Sequence, residues 1–510
     1  MNLFIHTLKT GTNIKKKQFM AFIIILILFL GFLFRIYNLG ENSLWIDEGY
    51  SINATLSILE KGVPILESGE KYIGWITTNY IMALQIKLFG FDPFNPWSAR
   101  FPSVIFGLLT ILIVFYTSHL FFKNYFISIL SVFIISFDFW QIAWSGQARG
   151  YTALSFLILL SILSFWKFWI NFKSKDKKYK KYLLLFIINT IFLYYTSSLS
   201  LILLPGLFFW IIFDLITNKE IKKNGKFFIL FFTPIFSVLF FEIIKKYSNL
   251  EINYAYLTYF NFLYDNYLYL IVFSILGILF AIFDQQNSNK ILYLFFVSSL
   301  PILIIIQYSH LTHIRYIFPF MASFTIIYSY SFFRLSELIS NKFQEKIFLN
   351  LIIFLISITL IWPSLIFSRE NNKILEFGSP QPDFKNAYKI IRDNLKDNEV
   401  VTSPYTHLNK IYLGDGGFWL PISLTGRKND LDKLIIKKDN NFLEYYTGSQ
   451  ILFYDKIDEF IETHSGYIII DQMAKNRLGN VIKIIENNPK TEIIWQSKKG
   501  KLNNIWLYKF

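Results

Sequence analysis

"FMAFIIILILFLGFLFRIYNLGENSLWIDEGYS", residues 19–51, decides how the rest of the chain is read. Its first half, 19–34, is an unbroken apolar run close to the roughly 20 residues that cross a bilayer, and Arg35 closes it. No small-residue cleavage site follows, so the run reads as a span rather than a cleavable signal. Beyond it, beside Trp45, stand two adjacent acids, Asp47 and Glu48. One reading makes Asp47 the N-cap of a helix at the membrane surface. The other makes it a carboxylate that takes a proton from an incoming hydroxyl or amine. In that reading the second acid raises one of the two pKa values or helps to hold a cation. These residues alone leave both readings open.

Composition sets the class. Of 510 residues, 54% are hydrophobic, 20% aromatic and only 17% charged, where soluble domains carry about 25% charged residues. The net charge of +15 invites a nucleic-acid reading, but its placement argues otherwise. Basic residues gather in short connections between apolar runs: "NIKKK" (13–17), "KSKDKKYKK" (173–181) and "NKEIKKNGK" (218–226). That is the pattern that retains loops in the cytoplasm. The chain has no cysteine, so disulfides and thiolate metal sites are excluded.

Apolar runs predict about eleven spans, near 18–38, 101–122, 126–144, 151–171, 182–198, 200–217, 227–245, 265–283, 291–309, 316–333 and 347–367. With the N-terminus in the cytoplasm, parity puts 173–181, 218–226 and 334–346 inside. It puts 39–100, 145–150, 246–264, 310–315 and everything after 368 outside. The expected domains are therefore a transmembrane domain, 1–367, with 39–100 as its first outer loop, and an extracytoplasmic domain, 368–510. Within the loop, "WITTNYIMALQIKLFGF" (75–91) is apolar but interrupted by polar residues, which predicts a helix lying at the interface. In the tail, 383–395 and 476–488 have helical spacing, while 399–403, 466–471, 491–497 and 504–510 read as strands. A small α/β domain of about 140 residues follows. "LGDGG" (413–417) lacks the context of a phosphate loop and reads as a turn.

Four cations share the predicted outer side with the acid pair: Lys71, Arg100, Arg149 and Arg315. Each alone fits an interfacial anchor whose stem lies along apolar surface. Together they suggest an anionic ligand, with arginine suited to bidentate phosphate contacts and lysine to a point charge. His310 and His313 have helical spacing for a metal, without an evident third ligand.

In order along the chain, the span ending at Arg35, "LWIDEGYS" (44–51), "ARFPSVIFGLLTILIVFY" (99–116), "QARGY" (147–151) and "RYIFP" (315–319) resemble the GT-C superfamily of membrane glycosyltransferases. Within it, the chain resembles the bacterial aminoarabinose-transferase and protein O-mannosyltransferase-like group. The tail from "PDFKNAYKIIRDNLKDNEVV" (382–401) is similar to the extracytoplasmic C-terminal domain of many members.

The resemblance implies a polytopic α-helical membrane enzyme at the plasma membrane. Such an enzyme moves a sugar, with inversion, from a polyprenyl-phosphate donor to an extracytoplasmic acceptor: a lipid-linked glycan, lipopolysaccharide or a protein. Asp47 matches the catalytic aspartate and Glu48 the neighbouring acid that orients the acceptor or a cation. "EKYIGW" (70–75) is similar to a Glu-Lys stretch that puts Lys71 on the lipid phosphate and Glu70 on a divalent metal. Arg149, Arg315 and Arg100 are the further donor-phosphate candidates. The chain departs from the pattern at Tyr72, Ile73 and Gly74, where relatives often carry a Pro-Pro pair. The stretch Gly146, Gln147, Ala148, Arg149 stands where many relatives carry Gln-Glu-Ala-Arg, so an acid is lost, and Thr196, Ser197 and Ser198 replace a Thr-His-Tyr pattern. A flippase or transporter of lipid-linked saccharides is the alternative; it needs essential charges within the spans and no base at Asp47.

Overall fold

A computed structural model describes residues 13–217, 255–284, 286–307, 313–340, 382–422, 432–438, 441–497 and 504–510. The apolar run that opens the chain is helix α1 (Asn13–Ile36). It turns Phe22, Ile25 and Phe29 outward, as a side that meets lipid tails requires. Two helices of the first loop follow, α2 (Ile46–Lys61) and α3 (Ile76–Phe89). Then come α4 (Pro96–Phe122), a bent pair, α5 (Tyr125–Phe137) and α6 (Phe139–Ser145), and α7 (Tyr151–Lys173). Helices α8 (Tyr179–Thr196), α9 (Leu203–Thr217), α10 (Ala255–Phe283), α11 (Ser288–Gln307) and α12 (Met321–Ser340) continue the series.

Among the described residues, seven helical stretches are long and apolar enough to cross a membrane, or eight if α5 and α6 are one span bent by 55°. The protein is therefore a polytopic helical membrane protein. The expected spans near 227–245 and 347–367 lie outside the described residues, as does His310. Each of the other expected spans meets a helix, although α8 is not among those seven.

The chain partitions into two compact units, one border of which falls at 371/372, near the expected boundary, while the first loop is grouped differently. One holds Met1–Tyr37, Ser103–Ser145 and Gly150–Asn371; the other holds Asn38–Pro102, Gly146–Arg149 and Asn372–Phe510. The first loop thus belongs with the C-terminal domain rather than with the spans.

Within the helical unit, the break at Asp138 is a built feature. A helix end leaves its last carbonyls without partners. Here the fully buried Arg35 takes them, donating to Ser136 O at 2.8 Å and Ile135 O at 3.3 Å, and to Ser145 Oγ at 3.2 Å. Asp138 then starts α6, its carboxylate accepting the Gln141 N–H at 2.9 Å. Gly107 makes room: a Cβ there would lie 2.5 Å from Ser145 Oγ and 2.9 Å from Arg35 Nε.

In the second unit, residues 382–510 form a mixed α/β domain. Its elements are α13 (Phe384–Asn394), β1 (Val400–Ser403), α14 (Thr406–Leu413), β2 (Phe418–Trp419), β3 (Ile435–Lys438), β4 (Asn441–Glu444) and β5 (Gln450–Ile451). After these come α15 (Ile457–Thr463), β6 (Gly466–Asp471), α16 (Gln472–Arg477), α17 (Gly479–Asn487), β7 (Glu492–Gln496) and β8 (Ile505–Lys509). The sheet runs β3-β4-β5-β2-β1-β6-β8-β7. Its centre is parallel (β5, β2, β1, β6) and both flanks are antiparallel. Strand β6, "GYIIID", is buried along its whole length, which is why it reads as a continuous apolar run rather than an alternating one. The "LGDGG" segment is the turn that closes α14, with Gly414 left-handed at its C-cap.

Candidate functional site

Asp47 sits in the first turn of α2, where a carboxylate complements the positive end of the helix dipole. Its side chain is 20% exposed, and its Oδ2 lies 3.5 Å from Arg149 Nη2. Arg149 comes from the short Gly146–Arg149 segment. Its Nη1 donates to the Asp47 carbonyl at 2.8 Å and to Ser51 Oγ at 3.0 Å. The guanidinium lies 5.2 Å over the ring of Trp75, a cation–π arrangement. Tyr72 is buried; burial pushes its phenol up, with Arg149 opposing, so it stays neutral.

Glu48, the second acid, is placed differently. It is 0% exposed. Its Oε1 accepts from Arg100 Nε at 2.8 Å and from the Ala148 N–H at 2.7 Å. Its Oε2 accepts from the Trp45 N–H at 2.8 Å and from Arg100 Nη2 at 2.9 Å. A carboxylate offers about four such positions, and these four contacts fill them. Arg100 has five N–H groups, and it spends the remaining three on the carbonyls of Leu39 (2.8 Å), Asn42 (3.1 Å) and Ser43 (2.8 Å). In the sequence Arg100 is a candidate for the donor phosphate. The structure turns it inward instead, because a buried carboxylate must be paired or pay a large desolvation penalty. The ion pair ties together the start of α2, the start of α4 and the segment that carries Arg149.

Lys71 is exposed, and its carbonyl accepts the Tyr445 hydroxyl at 2.7 Å. Glu70 is exposed as well. Among the described residues no group of three His, Asp or Glu side chains is placed to hold a metal ion. Glu70, on which the resemblance puts a divalent metal, belongs to no such group among the described residues. Arg315 belongs to the helical unit, where its guanidinium lies 5.6 Å over the ring of Tyr316.

Residues that sequence reasoning passed over complete the cluster. Tyr50 packs against His407, with ring centroids 3.9 Å apart, and stacks on Tyr446, at 4.0 Å. His407 is buried, and its Nε2 lies 3.0 Å from the Ile46 carbonyl. Tyr412 Oη accepts the Leu44 N–H at 3.1 Å, and Ser43 Oγ accepts the Lys385 N–H at 2.9 Å. No spacing could have announced these partners, since about 360 residues separate Ile46 from His407.

No protein-family model matches the sequence, and no curated protein matches it either. Solved structures do. The chain is similar to the Archaeoglobus fulgidus oligosaccharyltransferase AglB in complex with an inhibitory peptide and a dolichol-phosphate (TM-score 0.63, 13% identity, 92% of this chain and 72% of that one). The apo form of the Archaeoglobus fulgidus oligosaccharyltransferase gives a TM-score of 0.62 at 13% identity, over 90% of this chain and 70% of that one. It is also similar to ArnT from Cupriavidus metallidurans bound to undecaprenyl phosphate (TM-score 0.57, 9% identity, 95% of this chain and 97% of that one). At such identities the likeness establishes the fold.

Proposed function

We propose that this chain, which has the fold of the GT-C membrane glycosyltransferases, transfers a sugar from a polyprenyl-phosphate donor to an extracytoplasmic acceptor. The observation that carries the reading is the Asp47–Arg149 pair. It sets a partly exposed carboxylate and a guanidinium 3.5 Å apart in a fold whose solved examples include one with dolichol-phosphate and one with undecaprenyl phosphate.

The chemistry needs both charges. An acceptor oxygen attacks the anomeric carbon of the sugar from the face opposite the phosphate. Its proton passes to the Asp47 carboxylate as the new C–O bond forms. The bond from the anomeric carbon to the phosphate oxygen breaks, and polyprenyl phosphate leaves with the electron pair. Fixed cations stabilise the charge that grows on the leaving oxygen, the part assigned to Arg149 and Lys71. Configuration at the anomeric carbon inverts. Glu48 and Arg100 hold the parts in place. Arg315 is a further cation proposed for the donor on sequence grounds alone. No step is routed through a metal at Glu70.

The positive-inside pattern supports placing the first loop and the α/β domain on the extracytoplasmic side of a plasma membrane. The sugar and the acceptor class, whether lipid-linked glycan, lipopolysaccharide or protein, are left to experiment. The test is release of undecaprenyl phosphate by purified protein from donors bearing a hexose, an aminosugar or a pentose, with candidate acceptors present or absent. Acceptor-dependent release supports the transferase. Donor exchange across a vesicle membrane, with no release from any donor, replaces it by the flippase.

A further inference from the structure

We infer that His407, from the C-terminal α/β domain, is a positioning residue for Asp47. The inference rests on the reading of Asp47 as the base, and it gives the α/β domain a part in the reaction.

A peptide unit is rigid, so the carbonyl of Ile46 and the N–H of Asp47 turn together. His407 Nε2 lies 3.0 Å from that Ile46 carbonyl. A carbonyl can only accept, so Nε2 carries the proton. Burial agrees: it pushes the His407 imidazole down to about 3, leaving the ring neutral, with one donor and one acceptor nitrogen. The next peptide, from Asp47 to Glu48, is held by Arg149 Nη1 through the Asp47 carbonyl at 2.8 Å. Both peptide planes that meet at the Asp47 Cα are therefore fixed by side chains. One comes from the Gly146–Arg149 segment and the other from the α/β domain.

The approach of His407 is close and specific. A Cβ on Gly49 would lie 2.5 Å from His407 Cδ2 and 2.9 Å from Leu408 Cδ2, so only a glycine in this turn of α2 admits the ring. The same ring packs on Tyr50 at 3.9 Å, and Tyr50 in turn stacks on Tyr446 at 4.0 Å.

The amide of glutamine reaches about where Nε2 stands, whereas leucine keeps apolar bulk without a donor. The test compares His407→Leu and His407→Gln, both confirmed folded by gel filtration, using undecaprenyl phosphate bearing a hexose, an aminosugar or a pentose. A misplacement of about 1 Å at a reacting group costs about 100-fold in rate. The expected result for His407→Leu is a kcat lower by about that factor, with the donor KM within about two-fold. His407→Gln should recover at least about ten-fold of the loss. If His407→Leu does not fold, His407→Asn replaces it, because its shorter amide stops near the Nδ1 position and the same split is expected. Unchanged kcat in a folded donor-less variant overturns the inference, as does an equal loss in the Gln and Leu proteins. Asp47→Asn run alongside separates the two layers. Wild-type turnover there removes the base itself, whereas lost turnover there with unaffected His407 variants removes only the role of His407.

Discussion

Replacing Arg100 distinguishes a residue that binds substrate from one that holds the site together. Its five N–H groups all meet protein acceptors: Glu48 twice, and the carbonyls of Leu39, Asn42 and Ser43. Arg100→Lys keeps the charge but offers three donors from one atom. At least two of the five bonds are lost, at roughly 1 to 2 kcal/mol each, so the expected loss of stability is about 2 to 4 kcal/mol. Arg100→Ala leaves Glu48 buried and unpaired, and breaking a buried pair in this way costs about 3 to 5 kcal/mol. The assay is thermal unfolding in detergent followed by tryptophan fluorescence, with undecaprenyl-phosphate binding measured on the protein that remains folded. Both variants should unfold at lower temperature, Ala more than Lys, and the folded fraction should bind with near wild-type affinity. Combined with Glu48→Gln, the losses should be less than additive, by about 0.5 to 3 kcal/mol. Normal stability with lost binding would refute the reasoning and return Arg100 to the phosphate.

Gly49→Ala should destabilise the protein by about 1 to 3 kcal/mol, because its methyl group would stand 2.5 Å from His407 Cδ2; an unchanged unfolding temperature would contradict that packing. His407 also predicts a pH dependence. Its pKa is pushed down to about 3 in the fold by burial, against about 6.5 when unfolded. Its contribution is complete above about pH 6.5 and is lost as pH falls toward 3, by about 2 kcal/mol at pH 5. Wild type should therefore lose more stability than His407→Gln between pH 7 and 5, and parallel curves would count against a buried neutral ring. For topology, single cysteines at Ser174 and Ser403 of this cysteine-free chain should react from opposite sides of a sealed membrane; labelling from the same side breaks the assigned orientation.

Much of the fold was legible because the bilayer and the sheet impose simple periods on a sequence. Runs near 20 residues marked helices such as α1 and α7, and β6 and β8 stood out as apolar strands between polar turns. Strands β2 and β5 left no trace, being two residues each, too short for any alternation. Helix α14 was missed because its eight residues, "THLNKIYL", bury Thr406, His407 and Asn409 along with Leu408 and Ile411, which blurs the apolar stripe. The grouping of the first loop with the C-terminal domain was hidden for another reason. It rests on contacts such as His407 to Ile46 and Tyr412 to Leu44, across more than 360 residues, and hydropathy carries no record of them.

The site was legible in part. Asp47 and Arg149 were both picked out by residue type, and they meet. The adjacent acid was read as a partner in chemistry because its charge was visible, while its burial was not. Glu48 turns inward from Asp47 because successive residues of a helix point about 100° apart, so one acid reaches solvent and the next reaches Arg100.

Asp47 is the residue on which the proposed transfer depends. The most direct measurement is single-turnover sugar transfer by Asp47→Asn, with undecaprenyl-phosphate-sugar binding determined on the same preparation. Asparagine keeps the shape and cannot take the acceptor's proton. The account predicts binding within about three-fold of wild type and transfer slower by about 100- to 10,000-fold. Transfer at close to the wild-type rate, with binding intact, would contradict it.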